Sequence, residues 1–116
     1  TFDNQVFGGV IQGLGFALTE ERVLDRATGK MVNANWHDYK VPTMLDTPAE
    51  AECLPIDPHD VECNTVGAKG LGEPAHIPAA TAIANAIHDA VGVRPLEAPV
   101  TPARRVALLA AQERKG

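Results

Sequence analysis

Gln5-Val6-Phe7-Gly8-Gly9-Val10-Ile11-Gln12-Gly13-Leu14-Gly15-Phe16-Ala17-Leu18 is the stretch on which the fold turns. Val6, Val10, Leu14 and Leu18 recur every four positions with Ile11 beside them, which predicts a helix with one apolar stripe. Asp3 or Asn4 stands ready to cap its start. Gly8, Gly9, Gly13 and Gly15 lie inside it, and each costs ~1 kcal/mol against alanine in a helix interior. Such a helix needs close approach by another backbone or by a ligand. Helix–helix packing alone and a bound ligand both satisfy the pattern.

Outward from this helix the chain loses its periodicity. Glu20 to Lys30 is short and polar, with a turn at Ala27-Thr28-Gly29-Lys30. Met31–Trp36 reads as a short strand. Ala49–Leu54 is the better strand candidate, alternating Ala51 and Cys53 against Glu50 and Glu52. Pro42, Pro48, Pro55 and Pro58 predict a long irregular path over a larger body. Beyond a glycine loop at 67–72, Pro78 fits the first turn of a second helix that runs to about Val91. Ile77, Ala80, Ala84, Ile87 and Val91 share one face of it, and Gly92 fits its C-cap. Arg94–Val100 reads as extended. Thr101 then caps a last helix that starts at Pro102 and gives way to a polar tail from Gln112. The predicted class is α+β: a glycine-rich N-terminal helix, a few short strands, a glycine loop, a second helix and a C-terminal helix.

The 116 residues amount to one domain at most, residues 1–116 being read as a single incomplete domain. Apolar residues make up 45% and charged residues 22%, a globular rather than disordered balance. A net charge of -5 argues against a nucleic-acid or anionic-membrane surface. No apolar run reaches the ~18 residues of a membrane span. The chain begins at Thr1 rather than Met, so the lack of a targeting signal carries no information. Cys53 and Cys63, ten positions apart, match neither a redox pair nor zinc-finger spacing and read as unpaired thiols of a reducing compartment. His37, His59, His76 and His88 lack metal-ligand spacing, so no metal ligand is assigned. Trp36 reads as core. Glu50, Glu52, Asp57, Asp60 and Glu62 read as a solvated face.

The chemistry concentrates in Val66-Gly67-Ala68-Lys69-Gly70-Leu71-Gly72-Glu73-Pro74. Its glycines leave backbone N–H groups unshielded, so a loop of this kind before a helix can cradle an anion or a large cofactor. Pro74 keeps Glu73 out of helical dihedrals, and a carboxylate fixed there is equipped to be a general base. The plainer alternative is a turn followed by a helix-start carboxylate that favours the macrodipole. A Walker phosphate loop is excluded, because no Gly-Lys-Ser/Thr follows. Gly67-Ala68-Lys69-Gly70 also matches the GXXG of a KH nucleic-acid module, in four residues only.

Over nearly its whole length the chain resembles the large subunits of molybdenum hydroxylases, the xanthine dehydrogenase and aldehyde oxidase family. Asp3 to Gly15 is similar to the glycine-rich helix near the end of those subunits, and Ala17-Leu18-Thr19-Glu20-Glu21 continues it. Asp38-Tyr39-Lys40-Val41-Pro42-Thr43 resembles the family's tyrosine-lysine-x-proline segment, and Gly67 to Pro74 its glycine-glutamate loop. Ile77–Val91 and Pro99-Val100-Thr101-Pro102 follow in the family's order.

The resemblance implies the C-terminal segment of a molybdopterin-binding domain. Glu73 would be the base that activates a Mo-bound hydroxide for attack on an aldehyde or an N-heterocycle. Gln5 would touch the pterin, and Ala68, Lys69, Gly70, Leu71 and Gly72 would line it by their backbone. The pterin, in plain or cytosine dinucleotide form, would hold the metal without protein ligands, and would lie against the helix glycines. Iron–sulfur clusters and FAD would sit in partner domains or subunits, in the cytoplasm or, alternatively, the periplasm. Pro74 after Glu73 resembles the xanthine dehydrogenase-like members, whereas Gly8-Gly9 resembles bacterial aldehyde-oxidising ones, so the substrate class stays open. The segment alone is expected to be inactive. A non-catalytic scaffold or docking piece is the second reading, and the KH-like binder the third.

Overall fold

The structure, a computed structural model, describes residues 1–56 and 60–114. Asp57, Pro58 and His59, and the end of the polar tail, lie outside the described residues. Three helices carry the rest: α1 (Phe2–Leu18), α2 (Ala79–Val91) and α3 (Pro102–Glu113), with a 3-10 turn at Met44–Asp46.

α1 begins three residues before the predicted start at Gln5. Thr1 takes the cap position without a side-chain bond, and Asp3 lies inside the first turn, where its charge still favours the helix N-terminus. The buried face is not the apolar stripe. Gly9, Gly13, Gly15 and Ala17 are buried, while Val10 is exposed and Val6, Leu14 and Leu18 are half-buried. The reason is distance. A Cβ on Gly9 would stand 2.7 Å from the Ala75 Cβ and 3.1 Å from the His76 backbone nitrogen. A Cβ on Gly13 would overlap the Ala79 Cβ. The small-residue face thus lets the turn before α2 press directly on the α1 backbone.

Gly15 makes a third close approach, where an added Cβ would collide with the Glu20 carboxylate and come within 2.9 Å of the Pro42 ring. The Tyr39 hydroxyl donates to Glu20 Oε2 at 2.9 Å, pinning the Tyr39–Pro42 segment under the end of α1. That bond, with burial behind it, pushes the Tyr39 phenol above its ordinary pKa.

α2 and α3 follow the predicted punctuation. Gly92 closes α2 in the left-handed region at φ 70°, a conformation with little penalty for glycine. Thr101 Oγ1 accepts from the Arg104 N–H at 3.4 Å, and Pro102 opens α3. α3 is tied back to α1 by the Val100 N–H donating to Ala17 O at 2.6 Å and by Arg104 pairing with Glu21 at 2.9 Å.

The strands do not form among the described residues. Val32 N–H to Val23 O at 2.9 Å and an isolated Leu24–Met31 bridge close a small hairpin around Gly29, but Met31–Trp36 continues as turns. Ala49–Leu54 is irregular, with only Cys53 partly covered. Alternation makes a strand only where a neighbouring backbone supplies the ladder, and none of the described residues does so here. The α+β expectation therefore becomes a mostly helical segment. Asn33, buried at the hairpin's base, is satisfied by Glu21 O at 2.7 Å and the Val23 N–H at 3.0 Å.

The chain does not close on itself. Its radius of gyration is 18.0 Å, against about 13 Å for a compact chain of this length. Its accessible surface is 9031 Å², against about 6,000 Å² for a globular protein of this mass. Ala17, Ala79 and Val100 are the buried apolar residues among those described. Trp36, expected in the core, is 89% exposed and lines an open groove of about 520 Å³ with Arg22, Met31 and Tyr39. Among the described residues no helix is long and apolar enough to cross a membrane.

Candidate functional site

The packing of α1 on the turn before α2 brings two distant stretches together. Gln5, in the second turn of α1, donates from Nε2 to the carbonyl of Gly72 at 3.3 Å, across 67 residues of sequence. Gly72 directly precedes Glu73. The Glu73 carbonyl accepts from the His76 N–H at 3.1 Å and the Ile77 N–H at 3.4 Å, so the backbone around Glu73 is turned into the start of α2. Its side chain is exposed. His76 is half-buried with its ring edge-on to Phe16 at 6.2 Å between centroids.

Upstream, Asn64 organises the loop. Its Oδ1 accepts from the Val66 N–H and the Ala68 N–H, both at 3.1 Å, and its Nδ2 donates to Ala68 O at 2.7 Å. The Gly67 N–H donates to Asn64 O at 3.1 Å, and Gly67 adopts φ 66°, which an L side chain rarely takes. Sequence reasoning missed Asn64. The available signal was an asparagine three residues before Gly67, at the first position of the turn, a residue that bonds its own backbone further along.

These bonds distinguish the residues of the expected cofactor surface from one another. Ala68 has both its N–H and its C=O engaged by Asn64, so its backbone is already satisfied within the loop. Lys69 Nζ pairs with Asp60 Oδ2 at 2.8 Å, which removes Asp60 from the solvated acidic face and occupies the lysine's charge. Glu50, Glu52 and Glu62 are solvated as expected. Gly70 and Gly72 carry no described atom within 4 Å of an added Cβ, and neither does Gly8 on α1, three residues along from Gln5. Leu71 between the two loop glycines is half-buried. The open backbone thus narrows to Gly70–Gly72. Of the four glycines in α1, Gly9, Gly13 and Gly15 answer to contacts within the chain, and Gly8 faces open space.

Elsewhere the ionisable groups offer little. Cys53 and Cys63 are free thiols. Burial, and then the charge of nearby Asp3, pushes the Cys53 thiol up, which keeps it protonated and a poor nucleophile. Among the described residues no three His, Cys, Asp or Glu side chains gather as a metal site.

Residues 1–48 match the family model described as a molybdopterin cofactor-binding domain. The chain is 42% identical over 102 residues to a putative xanthine dehydrogenase molybdenum-binding subunit of Escherichia coli (strain K12), covering 88% of this chain and 13% of that protein. It is 37% identical over 101 residues to an aldehyde oxidoreductase molybdenum-binding subunit of the same organism, covering 87% and 14%. Its fold superposes on quinoline 2-oxidoreductase from Pseudomonas putida 86 with a TM-score of 0.82 and 30% identity, over 93% of this chain and 14% of that one. The chain therefore spans about one seventh of the length of the relatives it matches. A match that covers almost all of this chain, in sequence and in backbone, leaves one assignment: the chain belongs to the molybdenum hydroxylase family, as a segment of the subunit that binds the molybdopterin cofactor.

Proposed function

We propose that this segment forms one wall of the catalytic site of a molybdenum hydroxylase acting on an aldehyde or an N-heterocycle, with Glu73 as its base. The observation that carries the reading is the Gln5–Gly72 hydrogen bond, which sets the start of α1 beside the loop ending in Glu73. The names of the relatives, with xanthine, aldehyde and quinoline among them, support the substrate class.

The residues fit a large flat polar group. Gly70, Gly72 and Gly8 leave backbone uncovered around the Gln5 amide, and the Gln5 oxygen remains to accept a bond from such a group once its nitrogen is held by Gly72. When bound, the molybdenum–pterin cofactor supplies the oxygen to be transferred and takes up the two electrons of the oxidation. Gly70–Gly72 approach it by backbone. Glu73 would receive the proton released from the transferring oxygen, its main chain being kept at the loop's end by Pro74 and by the His76 and Ile77 N–H bonds to its carbonyl oxygen. The open shape of the segment supports a reading in which residues 1–116 are part of one domain and the remaining walls come from polypeptide outside them, including the rest of the subunit. Partner domains or subunits bearing iron–sulfur clusters and FAD would carry the electrons away. The free thiols support a reducing compartment, the cytoplasm.

The test is Glu73→Gln in the complete enzyme. A lost general base costs about 10²- to 10⁴-fold in turnover, with molybdenum and pterin content at wild-type levels. Turnover retained in that variant removes Glu73 from the mechanism. A scaffold without catalytic part would instead leave both turnover and cofactor content untouched.

A further inference from the structure

We infer that Asn64 is a positioning residue for the base, an inference that rests on the reading of Glu73 above. The stretch from Gly67 to Gly72 is poor in side chains, and a carboxylate at its end inherits whatever freedom the loop has. A misplacement of about 1 Å costs a catalytic group about 100-fold. The loop must therefore be held at both ends. Gln5 holds the downstream end through Gly72 O. At the upstream end the Asn64 side chain makes three bonds to the backbone of Val66 and Ala68, and its own carbonyl takes a fourth from Gly67.

The chemistry of those bonds selects asparagine. One side chain must accept from two N–H groups and donate to a carbonyl 2.7 Å away. Aspartate keeps the acceptors but sets a negative oxygen against Ala68 O, and alanine loses all three. The nearby Lys69–Asp60 pair is partly exposed, and such pairs contribute about 0–1 kcal/mol, too little to take over the task. Asn64 therefore fixes where the Gly70–Glu73 stretch leaves the turn, and acts on the reaction only through Glu73.

The experiment compares Asn64→Ala, Asn64→Asp and Glu73→Gln in the complete, cofactor-loaded enzyme. Three quantities are read: molybdenum and pterin content, kcat and KM separately, and hydrogen exchange of the amides of residues 66–72. The expected result for Asn64→Ala is wild-type cofactor content, KM within about twofold, kcat lower by about 10- to 100-fold, and faster exchange at Val66 and Ala68. Asn64→Asp, which keeps the two acceptor bonds and loses the third, is expected to fall between Asn64→Ala and wild type in both kcat and exchange. Wild-type kcat with unchanged exchange, beside an inactive Glu73→Gln, overturns the role of Asn64 and leaves the base in place. Cofactor loss in proportion to kcat also overturns it, since Asn64 then serves assembly. Full turnover in Glu73→Gln sinks the base itself, and with it any positioning of that base.

Discussion

Two groups of glycines in this chain look alike in the sequence and do opposite work. On α1, Gly9 and Gly13 are buried because the turn at Ala75–Ala79 presses against them, leaving no room for a Cβ. In the loop, Gly70 and Gly72 have open space where a Cβ would go. The first pair is explained wholly by this chain. The second has no neighbour within the described residues at the place of a Cβ. A glycine is thus compatible with either setting, and only the structure tells a packed position from an open one.

Substitutions in the full-length subunit break or sharpen that contrast. The largest effect is expected for Gly13→Val, whose branched side chain must enter the volume of Ala79. Overpacking at such a seam costs ~3 kcal/mol or more, so little folded subunit is expected on purification. Normal yield and thermal stability would show that the seam yields easily. Next comes a neighbouring pair of opposite sign, Gly9→Ala against Gly8→Ala. Both gain ~1 kcal/mol of helix propensity, but at Gly9 the new methyl meets Ala75 at 2.7 Å and the clash outweighs the gain. In cofactor-free subunit, denaturant midpoints should fall for Gly9→Ala and rise for Gly8→Ala; shifts in the same direction would erase the distinction between packed and open faces.

The smallest effect on stability is expected for Gly70→Ala. Its backbone is not in the left-handed region and its surroundings are empty, so stability should stay within ~0.5 kcal/mol. Under the proposed function its bound molybdenum and pterin fall severalfold. Normal cofactor content in that variant argues that the loop glycines line nothing.

Much of the local structure was legible because it depends on neighbours in sequence. Thr101-Pro102 starts α3 and Gly92 ends α2 where the residues predict, since caps and left-handed positions are local chemistry. Apart from the start of α1 and the Asn64 turn, the misreadings are non-local. The apolar stripe Val6–Val10–Leu14–Leu18 drew attention from the small face Gly9–Gly13–Ala17 that is buried. Ala49–Leu54 alternates like a strand but meets no ladder, and Trp36 stands exposed over a groove rather than in a core. Asp60 looked like one of several solvated carboxylates until Lys69 was found beside it.

By itself the sequence determined the helices, their punctuation and the family motifs, including a glutamate at the end of a glycine loop. These follow from backbone preferences that act over a few residues. Only the tertiary structure decided that Gln5 reaches Gly72, that Asn64 holds the loop's other end, and which glycines are filled and which stand open. The Gln5 contact and the filling of Gly9 and Gly13 depend on stretches more than 60 residues apart meeting in space, and close packing between distant backbones leaves no periodic trace in the chain that makes it. The Asn64 bonds are local, but which backbone groups one side chain reaches is settled by the path of the loop.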